Sequence, residues 1–223
     1  MFAHFALLVF IEVLISDAKE YETYQLIVPI NGTPYAGRKM KFNAQATLSC
    51  VHVISLIASA ISMFFFDWYI ENIERTGITI VRWVEYAITA PMLIIATAVL
   101  SGVRDRAALV SIAALIFAVI LCGPLMQYVP DASLQICAVA FVLLTVAFTQ
   151  IWVSFSVYDA PGFVTAIIFT MSVMYYSFGF VPLYAMKYNK PIKFEEIAQN
   201  KLSLLSKAFP TIFLVYGYLS MDE

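Results

Sequence analysis

The stretch Ile78-Thr-Ile-Val-Arg82-Trp-Val-Glu85-Tyr86-Ala-Ile-Thr89-Ala-Pro91-Met-Leu-Ile-Ile-Ala-Thr-Ala-Val-Leu100 decides the fold. It is apolar over about the 20 residues that a helix needs to cross ~30 Å of hydrocarbon. Yet it carries Arg82 and Glu85. A bare charge near a bilayer centre costs at least ~2.5–3.5 kcal/mol, so such groups face a bundle interior and find partners there. One such segment therefore implies others to shelter its charges.

The others are present. Apolar runs cover Phe2–Ser16, Phe42–Phe66, Ala107–Met126, Leu134–Val157, Gly162–Met186 and Leu202–Met221. Hydrophobic residues make up 62% of the 223, and charged residues only 13%, about half the usual ~25% of a soluble domain. The net charge is −2, so nothing calls for a nucleic-acid partner. The composition also excludes disorder and a small disulfide scaffold. The reading is an all-α membrane protein in contact with lipid. It is a bundle of seven transmembrane helices forming one domain over 1–223, without internal repeats.

The first run holds Glu12 and is short for a span. It lacks a basic start and a small-residue cleavage site, so a spanning helix that begins late is favoured over a signal peptide. The longest connection, Asp17–Lys41, contains Tyr24–Ile30 followed by Asn31-Gly32, a two-residue hairpin turn. A short β-hairpin on the membrane surface is expected between the first two helices. Asn31-Gly32-Thr33 is also a glycosylation sequon, useful as a topology reporter. Basic residues are balanced between the two sets of loops, so charge does not orient the chain.

Cys50, Cys122 and Cys137 lie in apolar runs and read as small packing residues. There is no Cys/His metal spacing, phosphate-cradling loop or nucleophile elbow. No enzyme is expected.

The seventh run carries one charge, Lys207. Odd-numbered helices run in the same direction. Glu85 lies seven residues past Ile78, and Lys207 five past Leu202 or seven past Asn200. Both should sit about 8 to 10 Å below the same face. Arg82, Glu85 and Thr89 share one helix face, as do Ser203 and Lys207. One reading is a structural salt bridge, or a lysine that snorkels to the interface. The other is chemical. An amine in an apolar pocket forms a Schiff base with an aldehyde. A protonated Schiff base there needs a carboxylate such as Glu85, because desolvation otherwise removes its proton.

Several segments are similar to one family. Arg82-Trp83-Val84-Glu85-Tyr86-Ala87, with Thr89 and Met92-Leu93-Ile94, resembles the third helix of microbial rhodopsins, specifically the heliorhodopsin branch. Asp67-Trp68-Tyr69 with Asn72, Gly123-Pro124-Leu125-Met126, Pro161–Ile167 and Leu202–Lys207 resemble further segments of that branch. Pumps of the wider superfamily carry an aspartate where this chain has Ser203. The sixth helix is expected to begin at Pro161, in its first turn.

The resemblance implies all-trans retinal on Lys207 as a protonated Schiff base. Glu85 would be its counterion, with Arg82 and Ser203 adjusting the hydrogen-bond network around it. Tyr86 and Thr89 would line the pocket, and Phe178 would flank the polyene. It further implies a cytoplasmic N-terminus, inverted relative to other microbial rhodopsins, and a homodimer. The signalling partner of such a receptor is unknown.

There are departures. Thr89-Ala90-Pro91 stands where the family has serines. The family places a histidine in each of its first two helices. His4 falls near the first position, but His52 is offset from the second, and each reads as a satisfied structural residue. Pro91, Pro182 and Pro210 fall inside helices. They read as tolerated irregularities, with a hinge as the alternative for Pro210. The second halves of the third and seventh helices hold no acid, which argues against a one-way pump. The leading expectation is a light sensor. The rival is a light-gated proton or cation conduit through Glu12, Glu85 and Glu196, with His4 beside it. Glu196 also reads simply as a solvated helix-start carboxylate.

Overall fold

The computed structural model describes residues 2–14, 20–27, 35–158 and 160–221. In chain order these form α1 (Phe2–Leu14), β1 (Glu20–Ile27), β2 (Tyr35–Asn43), α2 (Ala44–Phe64), α3 (Phe66–Thr76), α4 (Ile80–Leu100) and α5 (Arg106–Tyr128). A single 3-10 turn (Pro130–Ala132) then precedes α6 (Ser133–Val157), α7 (Gly162–Lys187) and α8 (Ile192–Met221).

Local chemistry sets several boundaries. The Asn43 side chain accepts a hydrogen bond from the Ala46 N–H at 2.9 Å and starts α2. Asp105 does the same for α5 through Ala108. Gly77, at φ 70°, ends α3 in the left-handed conformation that costs glycine least.

The long helices pack in a ring. Neighbours follow in the order α1, α2, α4, α5, α6, α7, α8, and α8 closes back on α1. Leu93, Ile94, Ile112, Ile116, Ile151, Ile167, Ile168 and Met171 fill the interior. The outer surface is apolar too: Val110 is 68% exposed, Val142 63% and Phe169 62%. Apolar residues on both faces are what lipid solvation requires. Among the described residues, five helices, α2 and α4 to α7, are long and apolar enough to cross a membrane.

The strands pair antiparallel from Glu20 opposite Asn43 to Ile27 opposite Tyr35, with an irregularity between Tyr24 and Leu26. The expected hairpin is therefore present. Its Asn31-Gly32 turn and the sequon lie outside the described residues. Arg104 ties the hairpin to the bundle. Its guanidinium lies 4.9 Å from the Tyr21 ring centroid and 5.3 Å from that of Tyr158.

Two expectations need correction, and one helix is added. The described residues hold eight α-helices, of which five are long and apolar enough to cross a membrane. The added one, α3, is short and amphipathic, with Phe66, Tyr69, Ile70 and Ile73 at helical spacing among acids. Its charges made it resemble a connection. Next, α8 starts at Ile192 rather than near Leu202, because the polar turn Lys193–Asn200 is helical although it is not apolar. Lastly, α7 begins at Gly162, and Pro161 sits at the preceding cap position with ψ 147°. Pro91, Pro182 and Pro210 lie inside helices, as does Pro124, since α5 continues to Tyr128.

Candidate functional site

α4 and α8 bring the two interior charges together. Lys207 is 3% exposed. Its Nζ donates to Glu85 Oε1 at 2.6 Å and to Ser203 Oγ at 2.6 Å. Ser203 reaches it because residues four apart share a helix face. Ser55 Oγ, from α2, donates to the same Glu85 oxygen at 2.6 Å. The Lys207 Nζ also lies 5.3 Å from the Tyr86 ring centroid, in reach of a cation–π attraction. Thr89 Oγ1 donates to the Glu85 backbone carbonyl at 3.0 Å.

Two cavities meet at this pair. The first is apolar, about 820 Å³ counting the open space at its mouth. Tyr86, Thr89, Phe178, Ser203 and Lys207 all line it, together with Cys122, Cys137, Phe141, Leu144 and Tyr175. Glycines shape its wall. A Cβ at Gly123 would overlap the Trp83 ring, and one at Gly179 would press on Phe141 at 2.7 Å. The second cavity is larger, with about 1960 Å³ of empty space, and carries Ser59, Ser62, Tyr69, Glu85, Glu196 and Asn200. His4 and Glu74 border it, so it faces the end of the bundle where α1 begins. Ser203 borders both cavities.

Arg82 does not pair with Glu85. It forms an ion pair with Glu196 and a longer one with Glu195, at 3.6 Å. Arg82 lies one turn nearer the start of α4, and the early turns of α8 place both acids opposite it. The Tyr69 hydroxyl and Asn200 Nδ2 also donate to Glu196. Glu196 is therefore a partnered carboxylate at a helix contact, not a solvated one. Glu195 accepts from Gln127 Nε2 at 3.1 Å, and Gln127 Oε1 accepts from Trp83 Nε1 at 2.9 Å.

The histidines meet after all. His4 Nδ1 and His52 Nδ1 are 3.3 Å apart, and His52 Nε2 is 2.9 Å from Thr211 Oγ1. The Thr211 hydroxyl donates to the Lys207 carbonyl at 2.8 Å. With its proton so used, Thr211 accepts from His52 Nε2. The Glu12 side chain lies outside the described residues. Cys122 and Cys137 pack inside as expected, whereas Cys50 is exposed on the outer face of α2.

Ser55, His52, Gln199, Tyr69 and Gln127 carry part of this network. From the sequence, His52 reads as structural and Tyr69 only as part of a resembling segment, and Ser55, Gln199 and Gln127 are not singled out. A signal existed for two of them. His52, Ser55, Ser59 and Ser62 recur at three- and four-residue intervals in an otherwise apolar run, which marks one polar helix face.

An apolar chamber inside a ring of long apolar helices, with a charge-balanced lysine in its wall, defines an integral, multi-pass membrane protein built to hold an apolar ligand. The sequence profile of the heliorhodopsin family matches residues 6–209. The chain belongs to that family, and so to the retinal-binding, light-sensing rhodopsins. No curated protein matches the chain.

Proposed function

We propose that this protein is a seven-span light receptor, with α1, α2 and α4 to α8 as its spans and all-trans retinal joined to Lys207 as a protonated Schiff base. The observation that carries this reading is the Lys207–Glu85 pair, 2.6 Å apart, at the mouth of the apolar cavity. The residues fit the group. An amine suits an aldehyde, apolar walls suit a polyene, and a carboxylate balances the cation that remains.

Bound retinal supplies absorption of visible light and a light-driven change of double-bond geometry. The protein's own groups supply the rest. Glu85 holds the proton on Nζ by charge and hydrogen bonding and is the nearest base to receive it. Ser55 and Ser203 orient the carboxylate and the amine. Tyr86, Thr89 and Phe178 exclude water from the cavity side. Arg82 is held by Glu195 and Glu196 and acts on Glu85 only through the field. Without a second carboxylate at Ser203, one-way pumping is not favoured. The N-terminus is cytoplasmic in this reading, which places the second cavity on the cytoplasmic side. A homodimer and a downstream protein partner complete it.

The reading is tested by absorption spectra with retinal, before and after hydroxylamine. A visible band that hydroxylamine bleaches supports it. A folded protein that stays colourless with retinal overturns it.

A second reading, a light-gated proton or cation conduit, is favoured by one observation: Glu85 and Glu196 border the same cavity. Voltage-clamped photocurrents separate the two. A light-driven current lost in Glu196→Gln supports the conduit, and no current at any voltage overturns it.

A further inference from the structure

The carbonyl of Phe178 has a defect built into its helix. In an α-helix it would accept from the N–H four residues on, but that residue is Pro182, which has none. Gln199 of α8 takes the vacant place: its Nε2 donates to the Phe178 carbonyl at 3.1 Å. Gln199 is 2% exposed and also binds α4, since the Tyr86 hydroxyl donates to the Gln199 backbone carbonyl at 3.0 Å. The Tyr86 and Phe178 rings meet edge to face, 5.6 Å apart. One residue thus joins three helices at the floor of the apolar cavity.

The other end of the same amide is unsatisfied. Gln199 Oε1 is buried without a hydrogen-bond partner, and Gln199 lines the apolar cavity. Turning the amide over would set its oxygen against the Phe178 carbonyl, so the orientation is forced. Gln199 stands one helical turn before Ser203, whose hydroxyl touches Lys207 Nζ.

We propose that Gln199 is a positioning residue that couples the chromophore cavity to the proline break in α7, its amide nitrogen holding the carbonyl that Pro182 orphans and its amide oxygen presenting an acceptor to the cavity that Lys207 lines. The consequence is a fixed mechanical link between the helix that carries the amine and the weakest point of α7. The amide oxygen also belongs to the wall of the cavity that Lys207 lines, about 12 Å of helical rise from that lysine, so its dipole forms part of the chromophore's surroundings.

The cavity half of this inference rests on the retinal reading above; the link to α7 does not. The test is therefore double. In retinal-free full-length protein, thermal unfolding is measured for the parent, Gln199→Leu, Pro182→Ala and the double variant. Pro182→Ala restores the N–H, so Gln199→Leu should lower Tm in the parent and lower it much less in Pro182→Ala. Equal losses in both backgrounds overturn the link. With all-trans retinal added, Gln199→Leu should shift the absorption band, because the wall loses a buried dipole. An unshifted band overturns the cavity role, while a parent that never colours overturns the retinal reading and leaves the unfolding cycle to decide the link. Gln199→Met, of similar length and without donor or acceptor, replaces Gln199→Leu in both arms if the leucine variant does not fold.

Discussion

Lys207 Nζ and Glu85 Oε1 are 2.6 Å apart, although 122 residues separate them along the chain. Ser203 and Ser55 each add a hydrogen bond to this pair, one to the amine and one to the carboxylate. Removing one partner of such a buried pair leaves the other charge uncompensated, at a cost of about 3–5 kcal/mol.

Lys207→Ala should abolish visible absorption after addition of retinal and should also lower thermal stability. Adding Glu85→Gln to it should recover part of that stability, because no lone charge is then left. Spectra and unfolding of the single and double variants check both points. A coloured Lys207→Ala protein would sink the attachment site.

Glu85→Gln alone should move the absorption band to longer wavelength. Loss of the negative partner lets positive charge spread along the polyene. An unchanged spectrum counts against Glu85 as the counterion.

Gly123→Ala should lower thermal stability by about 1–3 kcal/mol, the usual cost of overpacking. The new methyl would meet the Trp83 ring, whose Nε1 is held by Gln127 at 2.9 Å. Pigment yield should fall with it, since Trp83 lines the apolar cavity. Wild-type Tm and yield would refute the packing argument.

The hairpin should loosen in acid. Lys39, hydrogen-bonded to Glu22 at 2.7 Å, holds the Glu22 carboxyl below its ordinary range. A depressed carboxylate stabilises above its unfolded pKa and loses that contribution as pH falls through the folded value. Amide exchange at Thr23 and Met40 should therefore speed up, relative to the helices, below the usual carboxylate range. Added salt should do the same at neutral pH, because both groups are exposed. Exchange insensitive to both would show that backbone pairing alone holds the strands.

Much of this could be read from residue order. Apolar runs located the long helices because lipid demands uninterrupted apolar length, and the depth of Glu85 and Lys207 followed from helical rise alone. What escaped was set by partners distant in sequence. Arg82 shares a face with Glu85, but only the start of α8 reveals Glu195 and Glu196 as its partners. α3 is polar enough to pass for a loop until Tyr69 is seen against Glu196. The place of Gln199 depends on Pro182 in another helix, and no local pattern couples them. The offset of His52 suggested isolation, yet α1 and α8 supply both of its neighbours.

The lysine nitrogen lines an oily chamber and is held by two residues, Glu85 and Ser203, that border the larger cavity beyond it. Such a partition is one-sided in its permeability. Small hydrophilic reagents applied where α1 begins can approach Glu85 and Ser203, which hold the nitrogen and border the larger cavity, whereas from the opposite surface they meet packed Leu93, Ile94, Ile168 and Leu214. In sealed vesicles of uniform orientation, hydroxylamine should therefore bleach the pigment quickly from one bath and slowly from the other.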